Sequence, residues 1–188
     1  MLRFTVDAKK VVNTILFFAG RCSDPTKMKI SKLMFYADKL HLNRYGRPVT
    51  GDSYIKMRFG PVPSMALNLM RQQAYYETAS ELFDHSVSVK GNNIIPLVDF
   101  DRGTFSRSDI DVLEEVLATH GAKSAAILSD ESHNESAWCN AAMNRKIDFE
   151  QFFDSDKDSQ RMLRLLAMRD EPFKEEKEEP ELRRAARG

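Results

Sequence analysis

The first candidates for chemistry in this sequence are an aspartate and a histidine that lie three residues apart. Asp38 and His41 fall within one predicted helix, where side chains at this spacing share a face. A histidine beside a carboxylate is the minimum that general acid–base catalysis requires. The same spacing also suits a pair on the helix surface or a buried histidine that is hydrogen-bonded. We favour these structural interpretations over catalysis.

Asp38 and His41 belong to the densest group of polar and aromatic residues in the chain. Its other members are Arg44, Tyr45, Asp52, Tyr54 and Arg58. An enzyme would arrange such residues around a pocket, but no activated nucleophile accompanies them. The sequence also has no phosphate-binding loop, no GxSxG or HExxH motif and no grouped Cys and His residues. We therefore expect a structural or binding role, not an enzyme, with no cofactor and no metal site.

Composition indicates a globular protein rather than a membrane or disulfide-rich protein. The 188 residues are 42% hydrophobic and 30% charged, and no apolar run is long enough to cross a bilayer. The N-terminus has no signal-peptide pattern. Cys22 and Cys139 are far apart and lack the spacing of metal ligands, so we expect reduced thiols and a cytoplasmic location.

The formal net charge of zero hides a strong asymmetry along the chain. Residues 1–75 carry a balance of +9, and residues 76–170 carry a balance of −8. These segments could neutralise each other within one fold, or they could expose opposite patches that steer charged partners. The basic segment could also contact phosphates. Residues 121–138 have the rhythm of a helix-turn-helix, but they are acidic where a recognition helix would be basic, so DNA binding is disfavoured.

Hydrophobic periodicity and turn residues divide the chain into mostly helical elements. Helices are predicted at 7–19, 28–45, 104–121, 148–153 and 158–168, with two short helices in 123–143 that break near Asn134. A hairpin is predicted from Val87–Lys90 and 94–98 around the GNN turn. Residues 171–188 are almost without apolar side chains, and we expect a charged, flexible tail there.

The stretch MRFGPVPSM, residues 57–65, predicts a rigid corner at the end of an extended arm. Gly60 permits an unusual backbone, Pro61 and Pro63 stiffen it, and Ser64 can cap the helix that follows. A rigid corner reduces the entropy lost when the arm before it meets a partner. We expect the arm to be exposed and to contact a partner through four residues: Tyr54, Lys56, Arg58 and Phe59.

Residues 32–64 closely resemble the signature of the Panacea-domain proteins, which include the SocA-like antitoxins and the GepA-like phage-associated proteins. The matching positions are Lys32, Leu33, Ala37, Asp38, His41, Gly46, Pro48, Val49, Thr50, Gly51, Asp52, Tyr54, Phe59, Gly60, Pro61 and Val62. Residues 128–141 look like the second motif of that family, with His133 and Trp138 at its matching positions.

The resemblance implies a mainly α fold of the α+β kind, a single compact helical domain with a small antiparallel β element over residues 1–170. It implies an antitoxin that neutralises a cognate toxin by direct binding, or that delivers the toxin to a ClpXP-type protease as an adaptor. It implies no catalytic residues. A toxin with an acidic face would suit the basic segment. The alternative is a DNA-binding regulator of its own operon.

Overall fold

The computed structural model describes residues 1–73 and 77–170, and within them the chain is mainly helical with a small β element, as the sequence predicts. Eight α-helices occur in these residues: α1 Ala8–Ala19, α2 Lys27–Tyr45, α3 Ser64–Met70, α4 Glu77–Ser86, α5 Arg107–His120, α6 Ala125–Ser132, α7 Ser136–Cys139 and α8 Lys157–Asp170. Four strands form two antiparallel hairpins: β1 Tyr54–Met57 with β2 Gly60–Pro63, and β3 Val87–Lys90 with β4 Asn93–Pro96. The tail expected at 171–188 lies outside the described residues.

Helix α2 is the central element, and its ends are set by local capping chemistry. The Thr26 side chain accepts a hydrogen bond from the Lys29 main-chain nitrogen at 3.3 Å, and Gly46 ends the helix at φ 70°. Between these ends α2 is buried on most of its faces, and it packs against α1, α5, α6, α8 and β2. Motif residues on α2 are therefore held in the interior.

The hairpin β1–β2 replaces the predicted arm and corner. Residues 54–57 of the predicted arm form strand β1, and residues 60–63, expected to form only a corner, pair antiparallel with β1 in the register Tyr54↔Pro63 and Met57↔Gly60. Two prolines disfavour a strand interior, but they are tolerated on a strand that uses few of its own N–H groups. The main chain of residues 144–147 covers the outer edge of β1, where the Lys56 nitrogen donates to Arg145 O at 3.0 Å.

An aromatic cluster fixes the base of this hairpin in the core. The ring centroids of Phe35 and Tyr54 are 5.7 Å apart, and Phe152 lies 5.3 Å from the first and 5.4 Å from the second. Edge-to-face packing of this kind adds to the stabilisation from burial. Among residues 1–73 and 77–170, no helix has the length and apolar character to span a membrane.

Candidate interaction surface at the hairpin tip

The turn of the β1–β2 hairpin is held by side chains of the second motif. Three successive main-chain carbonyls accept hydrogen bonds there: Met57 O from Trp138 Nε1 at 3.0 Å, Arg58 O from His133 Nε2 at 3.1 Å, and Phe59 O from Ser129 Oγ at 3.0 Å. The two sequence motifs, about 70 residues apart, therefore meet at one place. We call Met57, Arg58, Phe59 and Gly60 the hairpin tip.

Gly60 lets the hairpin tip approach helix α2 and helix α6. Its φ is +99°, a conformation that residues with a side chain rarely adopt, and a Cβ at this position would collide with Ser132 Oγ and Lys32 Nζ. Lys32 Nζ donates to Pro61 O at 3.0 Å, so a fourth carbonyl of this hairpin is also fixed by a side chain.

Trp138 organises a second layer beneath the hairpin tip. The ring centroid of Trp138 lies 4.3 Å from that of His133. Lys56 Nζ, from strand β1, lies 4.1 Å from the Trp138 ring centroid. The Lys56 ammonium also donates to Ala141 O at 3.0 Å. A cation over an indole face is a favourable arrangement. Lys56 is therefore tied to the scaffold through its ammonium and is half-buried.

Two of the four residues expected to contact a partner are exposed at the hairpin tip. Phe59 is 57% exposed, and Arg58 is exposed with its guanidinium carbon 5.4 Å from the Phe59 ring centroid. The expectation that Tyr54 is exposed was wrong, since this side chain is only 1% exposed. Tyr54 opens β1 at the base of the hairpin, where its ring packs into the aromatic cluster.

Asp38 is the polar anchor of the hairpin base. Its carboxylate accepts hydrogen bonds from the Thr50 nitrogen at 2.8 Å, from Thr50 Oγ1 at 2.5 Å and from the Tyr54 hydroxyl at 2.9 Å. Burial raises the pKa of Asp38, and these donors oppose the shift. Asp38 thus joins α2, the loop before β1 and β1 itself.

Asp52 caps helix α3, a role that the sequence suggested for Ser64. The Asp52 carboxylate accepts hydrogen bonds from the Met65 nitrogen at 3.0 Å and from the Ala66 nitrogen at 2.9 Å, whereas Ser64 is the first helical residue. Burial raises the pKa of Asp52 to about 6. The preceding Gly51 has φ +70°, and a Cβ there would meet the main chain of Thr5, so both motif residues serve the fold.

His41 does have a carboxylate partner, but that partner is not Asp38. His41 Nε2 lies 3.1 Å from Asp109 Oδ1, and its Nδ1 lies 2.7 Å from Arg47 O. Both side chains of the His41–Asp109 pair are fully buried. Although burial acts the other way, the His41 ring nitrogen at 3.1 Å and the Arg47 guanidinium at 2.9 Å from Oδ1, together with the hydrogen bond from Lys10 to Oδ2, hold the pKa of Asp109 well below its usual range. A pair sealed from solvent in this way positions α5 against α2.

Much of the charge asymmetry is neutralised inside the fold. Ion pairs join the basic segment 1–75 to the acidic segment 76–170: Lys10–Asp109 at 2.8 Å, Arg21–Asp99 at 3.1 Å, Lys39–Glu135 at 2.5 Å, Lys39–Asp154 at 2.7 Å and Arg44–Glu115 at 2.5 Å. Arg44 therefore joins the end of α2 to α5. Within residues 1–73 and 77–170, no three His, Cys, Asp or Glu side chains could together hold a metal ion.

A groove beside the hairpin tip is lined by basic side chains that take part in none of these ion pairs. Its volume is about 670 Å³, and it lies between the first turns of α2, the hairpin tip and α3. Four basic residues line it: Lys27, Lys32, Arg58 and Arg71. Among the described residues, no carboxylate lies within 4.0 Å of their charged nitrogens. The sequence shows that residues 1–75 are basic, but it does not show that these four side chains line one groove.

The buried ammonium of Lys32 predicts a rise in stability at alkaline pH. Burial lowers its pKa from 10.5 to about 7. Between these pH values the unfolded chain holds the proton that the folded protein has released, so the free energy of unfolding should increase with pH, by up to about 5 kcal/mol at about 1.4 kcal/mol per pKa unit. Urea unfolding from pH 6 to pH 10 measures this.

Lys32→Met should remove that pH dependence, because methionine fills a similar volume without a titrating group. Lys157→Met is the control, since Lys157 is an exposed lysine at the start of α8. The prediction would be wrong if the free energy of unfolding of the wild type stayed constant or fell from pH 7 to pH 10, in parallel with that of Lys32→Met.

Comparison with protein families gives one match over the region built around the hairpin. The family model described as antitoxin SocA-like, Panacea domain, matches residues 30–139, which is more than half of the chain. This range contains α2 from Ile30 onward, the hairpin tip, and the side chains of Ser129, His133 and Trp138 that hold the tip. Searches against curated proteins and against solved structures yield no significant match. The chain belongs to the SocA-like antitoxin family, as a protein with the Panacea domain.

Proposed function

We propose that this protein is an antitoxin that neutralises a cognate toxin by direct binding through the hairpin tip. The observation that supports the site is the combination of two exposed side chains, Arg58 and Phe59, with a main chain that is fixed beneath them. Arginine and aromatic residues are frequent anchors of protein interfaces. A backbone that is already ordered loses little entropy on binding, so more of the contact energy appears as affinity. Family membership favours a non-enzymatic role.

The contact is made by side chains rather than by strand addition. A partner strand would need a row of free N–H and C=O groups on the edge of the hairpin. Residues 144–147 occupy the outer edge of β1, and β2 has prolines at 61 and 63, which carry no N–H group. The exposed side chains at the turn are the part of this hairpin that remains for recognition.

The double variant Arg58→Ala/Phe59→Ala is expected to lose neutralisation. Removing two interface anchors should raise the dissociation constant of the toxin complex by a factor of about 10 to 100, equivalent to about 1.4 to 2.8 kcal/mol. The fold should persist, because the hydrogen bonds at the turn use the carbonyls of residues 58 and 59. Co-expression with the product of the neighbouring gene, scored by colony survival and by the amount of co-purified toxin, measures both effects.

The matched control is Leu97→Ala/Arg107→Ala, which removes an exposed apolar side chain and an exposed arginine from other surfaces. It should neutralise as the wild type does. If the neighbouring gene product is harmless alone, or if its toxicity is unchanged by this protein, the antitoxin proposal fails. If the tip variant still binds and neutralises, the contact lies elsewhere.

Toxin half-life and promoter binding separate direct neutralisation from its two competitors. A proteolytic adaptor would shorten the half-life of the toxin, and deletion of the ClpXP-type protease would restore it; direct neutralisation leaves the half-life unchanged. A DNA-binding regulator would shift its own promoter fragment with a steep salt dependence. Against that last role, α7 has only four residues and the Trp138 side chain points to the hairpin tip, so this pair lacks a recognition helix.

A further inference from the structure

The groove beside the hairpin tip has a one-sided electrostatic character. Its basic residues come from three separate elements: Lys27 and Lys32 from α2, Arg58 from the hairpin tip and Arg71 from the end of α3. Asp24 is the acidic residue in its wall. Side chains that lie far apart in the sequence thus direct positive charge into one space, which favours an anionic occupant.

The start of α2 strengthens this field. Acidic residues are usually favoured in the first turn of a helix because of the helix dipole, but the first turn of α2 contains none and has lysines at 27 and 29. Lys29 is buried with its ammonium on Ser23, whereas Lys27 lines the groove, so the positive end of the helix and Lys27 act there in the same direction. Such an arrangement costs stability in the free protein, and an anion bound at the groove relieves that cost.

Lys32 places an amino group in the groove, and a bound anion would favour the protonated form of this group. Its side chain is 1% exposed, and its ammonium donates one hydrogen bond, to Pro61 O at 3.0 Å. An ammonium has three donors, and a buried charge without a counter-charge is costly. A carboxylate that reached Lys32 would provide both a counter-charge and an acceptor.

An apolar patch forms another part of the groove wall, beside polar side chains from Thr26, Ser31 and Asn92. Met28 and Phe59 are partly exposed at its rim, at 37% and 57%, and Met57, Val62 and Leu67 belong to the same patch. Methionines and an aromatic ring give an adaptable surface for an apolar side chain. A nucleic acid backbone would use the cations but not this surface. A protein segment that carries both carboxylates and an apolar residue would use both.

We propose that the groove receives an acidic, amphipathic segment of the toxin, with carboxylates facing Lys27, Lys32 and Arg71 and an apolar side chain seated against Met28 and Leu67. This rests on the proposed antitoxin function and extends it, because it assigns a chemical character to the toxin surface. The hairpin tip then forms one wall of a larger interface rather than the whole contact.

Charge reversal in the groove tests the proposal. Lys27→Glu/Arg71→Glu should weaken binding of the purified toxin by at least thirtyfold, and the affinity of the wild-type pair should fall steeply between 50 and 300 mM salt. Glutamate at 27 suits the first turn of α2, so the fold should be retained, which circular dichroism and urea unfolding check. Lys157→Glu/Arg164→Glu on α8 makes the same change of net charge at exposed positions and should bind normally.

A photo-crosslinker at position 67 identifies the occupant. The proposal expects crosslinks to a toxin segment that contains aspartate or glutamate, and expects Asp/Glu→Lys changes in that segment to restore binding to the charge-reversed variant. The groove proposal would be wrong, and the proposed function would stand, if Lys27→Glu/Arg71→Glu bound the toxin normally while Arg58→Ala/Phe59→Ala did not bind it. Normal binding by both variants would overturn the two sites together.

Two other occupants give distinct results, and each would also overturn the proposal. If charge reversal abolished binding of the promoter fragment and left toxin binding intact, the groove would be a nucleic-acid site. The chain itself contains an acidic run at 175–181. A test variant replaces four glutamates of this run by lysine: Glu175, Glu176, Glu178 and Glu179. If this variant bound the toxin at least tenfold more tightly, and if the crosslinker joined position 67 to the acidic run, then the groove would bind residues 175–181 of the same chain.

Discussion

Asp38→Ala is expected to lower the free energy of unfolding by about 3–5 kcal/mol. The substitution removes the acceptor of three hydrogen bonds and leaves the Thr50 nitrogen, the Thr50 hydroxyl and the Tyr54 hydroxyl without their partner in the interior. It also opens a cavity beside the aromatic cluster. Urea unfolding followed by circular dichroism measures the loss.

Two further variants separate the hydrogen-bond network from the burial of a charge. Tyr54→Phe removes a single donor and should cost about 1 kcal/mol, because the ring still fills its place among Phe35 and Phe152. Asp111→Ala, at an exposed position on α5, should change stability by less than about 0.5 kcal/mol. An Asp38→Ala protein as stable as Asp111→Ala would refute the anchoring role of Asp38.

Gly60→Ala is expected to destabilise the protein by about 3 kcal/mol or more and to impair neutralisation as a result. Its first cost comes from a backbone at φ +99°, and its second comes from the collision of the new Cβ with Ser132 Oγ and Lys32 Nζ. Relief of that collision would move the hairpin away from α2 and α6. Thermal and urea unfolding measure the stability, and co-purification measures toxin binding.

Gly91→Ala is the matched control for Gly60→Ala. Gly91 also has a positive φ, of +60°, but nothing lies within 4 Å of the Cβ that alanine would add. This variant should therefore show the backbone cost alone, about 1 kcal/mol. Gly60→Ala combined with Ser132→Ala should recover part of the loss, since the hydroxyl in the collision is gone. Equal effects of Gly60→Ala and Gly91→Ala would show that close packing at the tip contributes nothing.

Local signals in the sequence were sufficient for most helices. Helix α1 follows Asp7, whose side chain accepts from the Lys10 nitrogen at 3.1 Å, and α5 follows Ser106 in a capping box with Asp109. The break between α6 and α7 falls near Asn134, as the sequence predicts. These features depend on residues within about four positions of one another, which is why they can be predicted from sequence alone.

The errors arose where distant residues decide the structure. Two prolines predicted a rigid corner at 60–63, but the main chain of this segment pairs with β1, and Lys32 donates to the carbonyl of Pro61. Tyr54 precedes the basic residues Lys56 and Arg58 in the predicted arm, and the whole arm was expected to be exposed. The base of the hairpin instead enters the core, since Asp38 and the aromatic cluster surround Tyr54.

Capping and charge convergence show the same limitation. The cap of α3 comes from Asp52, twelve residues before the helix begins, so the adjacent Ser64 was the natural but wrong choice. The groove assembles Lys32, Arg58 and Arg71 from three elements, and a charge count along the chain cannot show which cations face the same space.

The hydrogen bonds at the hairpin turn have a consequence for how such a protein changes partner. Each ends on a main-chain carbonyl, an atom that every amino acid supplies, and none involves the side chain of Arg58 or Phe59. Under the proposed function, substitutions at these two positions change the side chains that meet the toxin and leave the hydrogen bonds that hold the turn in place. The stability of the turn and the proposed contact thus depend on different atoms. Exchange of these two side chains would change one wall of the interface at little risk to folding.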